Sequence, residues 1–490
     1  MNKLLIKFCI IISSISILFC SLNDDAIMVG VSNAYTNLSR GYGCVGINPA
    51  NLAIEPKFSI NLGGFVYGLR NNIFRYNEII EISGKDMIDS TSVNYYDKNR
   101  LKDLIGYNDF IISNEFSSLV PFLNFSIKNF AFTTKTKSFS EFGMPRLFLN
   151  LIFFGNAINE EIEFNIPYST QTVQETAFSY GKEYNDIYYG VSLKHLLGIF
   201  HSDLYPIDKS YFVTDTSSFV VEGSYLFRQG IGGNGFSLDF GLLTKEFLDG
   251  YQFGLSLINV FGYINWGNIS FFRGLTEGLV ELIIPEEFQL RPGEFRYYSF
   301  SVDSLTALSL STDSPGDLVS TINYPVIKVN QIEDVDLFLY NSDLVVDLPD
   351  SSGYLVPSSD IPDSFIEKYT MNRGFVTPYP TLFRIGLSRR LMDDTIFEID
   401  LVTSFNNSMG YSDKWQFNFG SEITRFKSYP IRFGFSLDHI GSSISFGSGF
   451  HKRKFNYDYA FALYGIRLSY NDLSLANSRG IKFSMNLSWQ

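Results

Sequence analysis

Residues 481–489 alternate without a break. Ile481, Phe483, Met485, Leu487 and Trp489 form one series, and Lys482, Ser484, Asn486 and Ser488 form the other. Successive side chains on a β-strand point to opposite faces, so this segment carries one apolar face and one polar face. The pattern returns at 431–438, where Ile431, Phe433, Phe435 and Leu437 oppose Arg432, Gly434, Ser436 and Asp438. It returns at 236–242, with Phe236, Leu238, Phe240 and Leu242 against Ser237, Asp239 and Gly241, and at 397–401, with Phe397, Ile399 and Leu401 against Glu398 and Asp400. No charge falls in the four apolar series. The fold class is all-β.

A soluble sandwich and a membrane barrel both alternate, so composition has to separate them. Aromatic residues make up 17% of the chain, with 48 Phe and 30 Tyr, while charged residues are 18%. Sandwich strands run about five or six residues, whereas strands near ten residues with aromatic ends suit a bilayer band. A charge facing lipid at mid-membrane costs about 2–4 kcal/mol, which keeps that face clean. The sequence therefore reads as a transmembrane antiparallel outer-membrane β-barrel. Less regular strands are expected at 58–69, 119–138, 145–154, 184–197, 211–228, 251–264, 382–391, 414–425, 443–450 and 457–470. Hairpins among them bring the count to between about 12 and 16, and the even-number rule for bacterial barrels selects 14.

Three regions surround or interrupt the strands. Residues 1–22 have Lys3 and Lys7, then an apolar run from Phe8 to Cys20, and read as a secretory signal peptide with cleavage between Cys20 and Ala26. Phe19 is bulky where a lipoprotein signal has a small residue. No later run of 18 apolar residues offers a spanning helix. Residues 23–57 form a separate N-terminal segment before a barrel at 58–490. A connection at 267–380, acidic and Pro-containing, with one possible helix near Ser364–Tyr369, is too long for an ordinary loop. Counting strand pairs back from Trp489 puts it on the extracellular side and puts Met392–Asp394 and Phe247–Gly250 at short periplasmic turns. Past the signal, Cys44 is left without a framework of disulfides.

Chemistry-bearing patterns are sparse. The four histidines are His195, His201, His439 and His451. On one strand His195 and His201 would share a face about 20 Å apart, too far for one metal. No nucleophile elbow, zinc-protease pair or phosphate loop occurs, so no catalytic residue, metal or cofactor is expected and an enzyme is the least favoured reading. A net charge of −13 with no basic stripe argues against nucleic acid. The cluster His451-Lys452-Arg453-Lys454 falls at the periplasmic end as a solvated turn. Asp239, Glu398, Asp400 and Arg432 are expected to face the lumen.

Between signal and first strand lies SRGYGCVGINPANLA, residues 39–53. Its Gly-rich lead-in and Asn48-Pro49-Ala50-Asn51-Leu52 resemble the start of the long-chain fatty acid outer-membrane transporter (FadL-like) superfamily. GFSLDFGLLTK at 235–245, GYQFGLSLINVFGYINW at 250–266, PYPTLFRIGLSRRL at 378–391 and YPIRFGFSLDHIG at 429–441 look like its uncharacterised bacterial branch. The resemblance implies a 14-stranded barrel whose lumen holds this segment as a hatch, with Gly41, Gly43, Gly46, Asn48, Pro49, Ala50 and Leu52 as its residues. It implies passive uptake of hydrophobic small molecules. The rival implication comes from a related branch that serves type IX protein secretion: docking or assembly with secreted proteins. Outer-membrane lipid and the outer-membrane assembly machinery are the remaining expected partners.

Overall fold

The computed structural model describes residues 25–54, 58–87, 89–106, 109–154, 158–159, 161–206, 209–214, 218–266, 295–306, 326–329, 343–346, 354–357, 375–391, 394–426, 428–439, 441–466 and 474–490. The expected signal peptide and the Ser364–Tyr369 helix lie outside these residues.

Fourteen strands close on themselves. They are β1 (Ser59–Asn71), β2 (Phe110–Leu119), β3 (Phe130–Met144), β4 (Tyr168–Tyr184), β5 (Ile187–Pro206), β6 (Ser218–Thr244) and β7 (Tyr251–Val260). After the long connection come β8 (Leu382–Leu391), β9 (Thr395–Ser404), β10 (Gln416–Ile423), β11 (Ile431–Leu437), β12 (Ser442–Lys452), β13 (Phe455–Tyr464) and β14 (Gly480–Trp489). Each pairs antiparallel with the next. The ring shuts where β14 pairs with β1, from Ile60 opposite Trp489 to Arg70 opposite Gly480. Closure leaves no free edge among these strands, which lipid would not tolerate.

Burial runs opposite to that of a soluble protein. On β14 Phe483 is 40% exposed while Lys482 is 3%. On β11 Ile431, Phe433 and Leu437 are exposed and Arg432 and Ser436 are buried; β6 and β9 behave alike at Phe240, Leu242, Ile399 and Leu401 against Asp239, Glu398 and Asp400. An exterior of Phe, Leu and Ile over an interior of Asp, Lys and Arg is stable only with acyl chains outside. No helix among the described residues is long and apolar enough to cross a membrane. The strands are what cross.

The rims differ as barrel physics requires. At the rim of Trp489, chain reversals are tight: β4 to β5 at 185–186, β8 to β9 at 392–394, β12 to β13 at 453–454. Asn185 and Arg453 take positive φ of 53° and 57° there. The opposite rim carries the long connections 72–109, 145–167 and 261–381. On that side β6 runs 27 residues, where about ten suffice to cross a bilayer. Its outer part, 218–228, pairs with Phe295–Thr306 from the long connection.

Three local expectations are corrected. Residues 145–154 form a helix, Arg146–Phe154, not a strand. Its apolar side joins Ile73, Tyr96, Leu101 and Ile105 in a cluster at the outer rim, an environment that a continuous apolar run satisfies equally well as helix. The expected strand 119–138 is broken: it holds the end of β2, a reversal that carries the three-residue strand Phe125–Ile127, and the start of β3. Segments 211–228 and 236–242 were expected apart; most of both lies in the single strand β6.

Candidate functional site

The chain's own N-terminal segment packs against inward-facing groups of the wall. It folds as a short helix, Ala26–Gly30, and two 3-10 turns, Gly41–Cys44 and Pro49–Ala53. Local chemistry explains the second turn. Asn48 is extended, as a residue before proline prefers, its side chain accepts from the Ala50 N–H at 3.1 Å, and Pro49 opens the turn. Gly41 and Gly46 take positive φ of 57° and 84°. Asn48, Pro49, Ala50 and Leu52 are all buried, as is Cys44. The Asn51 amide donates to the Thr36 carbonyl at 2.9 Å and to Ser39 Oγ at 2.7 Å, folding the segment on itself. Burial pushes the Cys44 thiol up to about 12.

Two kinds of contact hold this segment to the wall. The first is steric. Gly181, Gly190, Gly241, Gly254, Gly386, Gly420, Gly434 and Gly447 lie on β4 to β8 and β10 to β12, and each meets the segment. A methyl at Gly181 would stand 2.8 Å from the Pro49 carbonyl oxygen, one at Gly386 2.8 Å from Thr36 Cβ, and one at Gly420 2.7 Å from Val31 Cβ. Gly190 and Gly241 face Pro49 and Asn48, and Gly434 faces Val31. Neighbouring strands place these glycines opposite one another, Gly181 to Gly190 to Gly241, Gly254 to Gly386, and Gly420 to Gly434. Together they form a side-chain-free lane that the segment follows round the wall.

The second kind is polar. Asp400 Oδ2 accepts from the Tyr35 and Thr36 N–H groups, each at 3.0 Å, from Thr36 Oγ1 at 2.6 Å and from Arg384 Nη2 at 3.0 Å. Glu398 Oε1 accepts from the Asn37 N–H at 2.6 Å. Arg384 also donates to the Asn33 carbonyl at 2.7 Å, Ser256 to that of Ile47 at 2.6 Å, and Lys135 to that of Val45 at 2.9 Å.

The other interior charges pair with the wall. Asp239 lies 3.0 Å from Lys194 and accepts from the Asn259 N–H at 2.8 Å, at a bulge where Asn259 has φ 58°. Glu175 joins Lys137 at 3.1 Å and accepts from the Tyr379 hydroxyl at 2.7 Å. Arg432 pairs with Glu422 at 2.8 Å and Asp458 at 2.7 Å, and His451 reaches Asp458 at 2.9 Å. Asp239, Glu398, Asp400 and Arg432 are thus brought to one interior but three networks. His195 and His201 do not share a face: the register shifts near Ile199, His195 bonds Asn234 at 2.7 Å, and buried His201 stacks on Trp266. Among the described residues no three His, Cys, Asp or Glu side chains cluster as a metal site.

Trp266 marks a second closure at the outer rim. The stems of the long connection pair with each other, Tyr263–Asn265 with Val376–Pro378. Trp266 is buried against Gly198, Gly230 and Gly233 of the wall, stacks on Phe375 and donates to Thr377 Oγ1 at 2.8 Å. Two small cavities lie among the described residues. One of about 70 Å³ is lined by Arg70, Glu115, Asp438, His439, Tyr464 and Lys482, and one of about 10 Å³ by Met28, Ile47, Ile258, Leu382 and Tyr379 beside Lys137 and Arg384. The sequence reading missed the glycine lane, Trp266, Lys194, Glu175 and Arg384. Glycines standing at polar-face positions of alternating strands, as at Gly241 and Gly434, were the available signal.

This is a membrane β-barrel. A family model described as a family of unknown function (DUF5723) matches residues 49–228, from Pro49 into β6. No curated sequence matches the chain. Among solved structures it is similar to the toluene transporter TbuX of Ralstonia pickettii, at 9% identity, covering 96% of this chain and 98% of that one, with a TM-score of 0.46. It is similar to the toluene transporter TodX of Pseudomonas putida at 10% identity, with 96% and 98% covered and a TM-score of 0.46. A Pseudomonas aeruginosa FadL homologue matches at 10% identity, with 96% and 99% covered and a TM-score of 0.41. The strand ladder, not these likenesses, defines the fold.

Proposed function

We propose that the chain is a passive outer-membrane channel for hydrophobic small molecules, shut in the described state by residues 25–53 acting as a hatch. The observation that carries this reading is the fit of that segment to the glycine lane, fastened at Asp400 and Glu398. A segment without long regular structure, seated on bare backbone, leaves by breaking a few hydrogen bonds and unfolds no strand. Met28, Val31, Tyr35 and Ile47 pack against one another within the segment, which gives it a small apolar core of its own. No energy source is required, since the cargo's gradient and its preference for lipid drive transfer.

The test compares uptake of labelled fatty acids and aromatic hydrocarbons by cells carrying the wild type, a 39–53 deletion, Pro49→Gly or an empty vector. Wild-type uptake above the vector, altered by both variants, is the expected result. Equal uptake in all four ends the transport reading. A docking role for secreted proteins is favoured by a different observation: β6 rises far past the bilayer and recruits Phe295–Thr306 into its sheet. Retention of secreted proteins by the purified barrel, with flat uptake, would select it.

A further inference from the structure

Four buried side chains beside the hatch leave oxygens without partners. Glu398 Oε2, Asp400 Oδ1, Asn37 Oδ1 and Asn418 Oδ1 accept no hydrogen bond, and the Asn418 amide nitrogen donates none. All four residues are fully buried. Leaving such groups unmatched is costly, about 1–3 kcal/mol for a neutral group and more for a charged one.

Strand register sets three of them on neighbouring strands, and Asn37 reaches them from the segment. Glu398 and Asp400 are two apart on β9 and share its inner face. Asp400 stands opposite Asn418 on β10 and Gly386 on β8. A methyl built on Gly386 would meet Asp400 Oδ1 at 2.8 Å and Asn37 Oδ1 at 2.9 Å, so those two oxygens flank one point beside the wall. Asn37 is oriented by its own amide nitrogen, which donates to the Gln252 carbonyl at 2.9 Å and to Ser388 Oγ at 3.1 Å. Those bonds leave Oδ1 against Gly254 and Gly386, on the side of Asp400. The Asn37 N–H on Glu398 Oε1 fixes the other carboxylate.

Charge gives the ligand its sign. Arg384 answers Asp400 through Oδ2, on the side away from the unpartnered oxygen. Two carboxyl groups stand against one guanidinium, so unless the pair keeps a proton the patch carries one negative charge in excess. A buried excess of that kind needs a counter-charge, and donors made solely of carboxylate and amide oxygens select a hard cation over a soft transition metal.

We propose that Glu398, Asp400, Asn418 and Asn37 form a site for one hard, oxygen-ligated cation bridging the wall and the N-terminal segment. Three ligands come from the barrel and one from the segment, so occupancy ties the two together. That last consequence rests on the hatch reading, whereas the site itself does not.

The experiment uses the full chain in detergent, exchanged into choline chloride and then titrated with sodium or with calcium. Binding is read by equilibrium dialysis of the radiolabelled ions, and stability by thermal melting at several pH values. The expected result is saturable binding of one of the two ions near one per chain, with a rise in melting temperature. Glu398→Gln and Asn418→Ala should weaken binding about tenfold or more, in line with loss of a metal-supporting group. Should either barrel variant fail to show the heat-modifiable folded band on a gel, Asn37→Ala, outside the strands, supplies the same test. Sodium and calcium arms tell which ion the site takes. The proposal is overturned if wild type binds neither, if the variants bind as well as wild type, or if melting follows pH alone, which would assign the pair a proton. Cys44 labelling in the same samples separates the two readings: a thiol that stays protected while no ion binds sinks the site and leaves the hatch standing, whereas saturable binding that leaves labelling unchanged keeps the site and removes its tie to the segment.

Discussion

At the residue scale, the wall glycines matter for the side chains they lack. Gly190→Val is expected to push Pro49 off β5, because its Cβ enters the Pro49–Ala50 peptide and backbone on both sides blocks relief. Overpacking of this type costs about 1–3 kcal/mol, small enough for the barrel to fold while the segment shifts. The measurement is Cys44 reactivity. In wild type the thiol is buried beside Val45, Leu52, Ala131 and Ala177 and holds its proton, so maleimide labelling should be slow. In Gly190→Val it should rise severalfold with the melting temperature little changed. Unchanged labelling would show that the segment does not depend on this contact. The capped turn at Pro49–Ala53 was legible from Asn48-Pro49, since those types encode it by themselves. Glu398 and Asp400 were legible as inward groups from alternation. Asn37 and Asn418 were not, because an asparagine's orphaned oxygen is a property of three strands and a loop brought together.

At the element scale, alternation announced the strands whose outer positions are uniformly apolar, such as β6, β9, β11 and β14. It failed where the outer face is mixed, so β2 (FIISNEFSSL) and β4, with its run of Thr and Gln, were passed over. Pairing with neighbours on both sides specifies those strands without a clean pattern. The helix Arg146–Phe154 was misjudged for the opposite reason: nine residues with almost no polar break have no period to read. The stems around Trp266 carry a prediction of their own. Trp266→Ala removes a large side chain seated on three wall glycines and should cost about 3–5 kcal/mol at that junction. Limited proteolysis should then cut near 263–266 and 375–378 well before the strands, and equal protease resistance in mutant and wild type would refute a packed outer closure.

For the whole molecule, everything turns on lipid outside and charge inside. Phe483→Arg places a cation on the outer face of β14 near mid-strand and should cost about 2–4 kcal/mol, read as a lower urea midpoint in vesicles. Lys482→Met, on the inner face of the same strand, deserts Glu115 and should also destabilise, but equally in vesicles and in detergent. A soluble fold would show the reverse sensitivity to solvent for the outer site.

The lane of bare backbone has a further consequence for how such a door would move. Where the wall offers no rotamers to rearrange, sliding meets little friction, and contact area contributes little to the barrier. The resistance is concentrated in a few electrostatic bolts at Asp400, Glu398 and Arg384. A door built this way would keep a tight seal and a fast latch together, because sealing and latching would fall to different atoms.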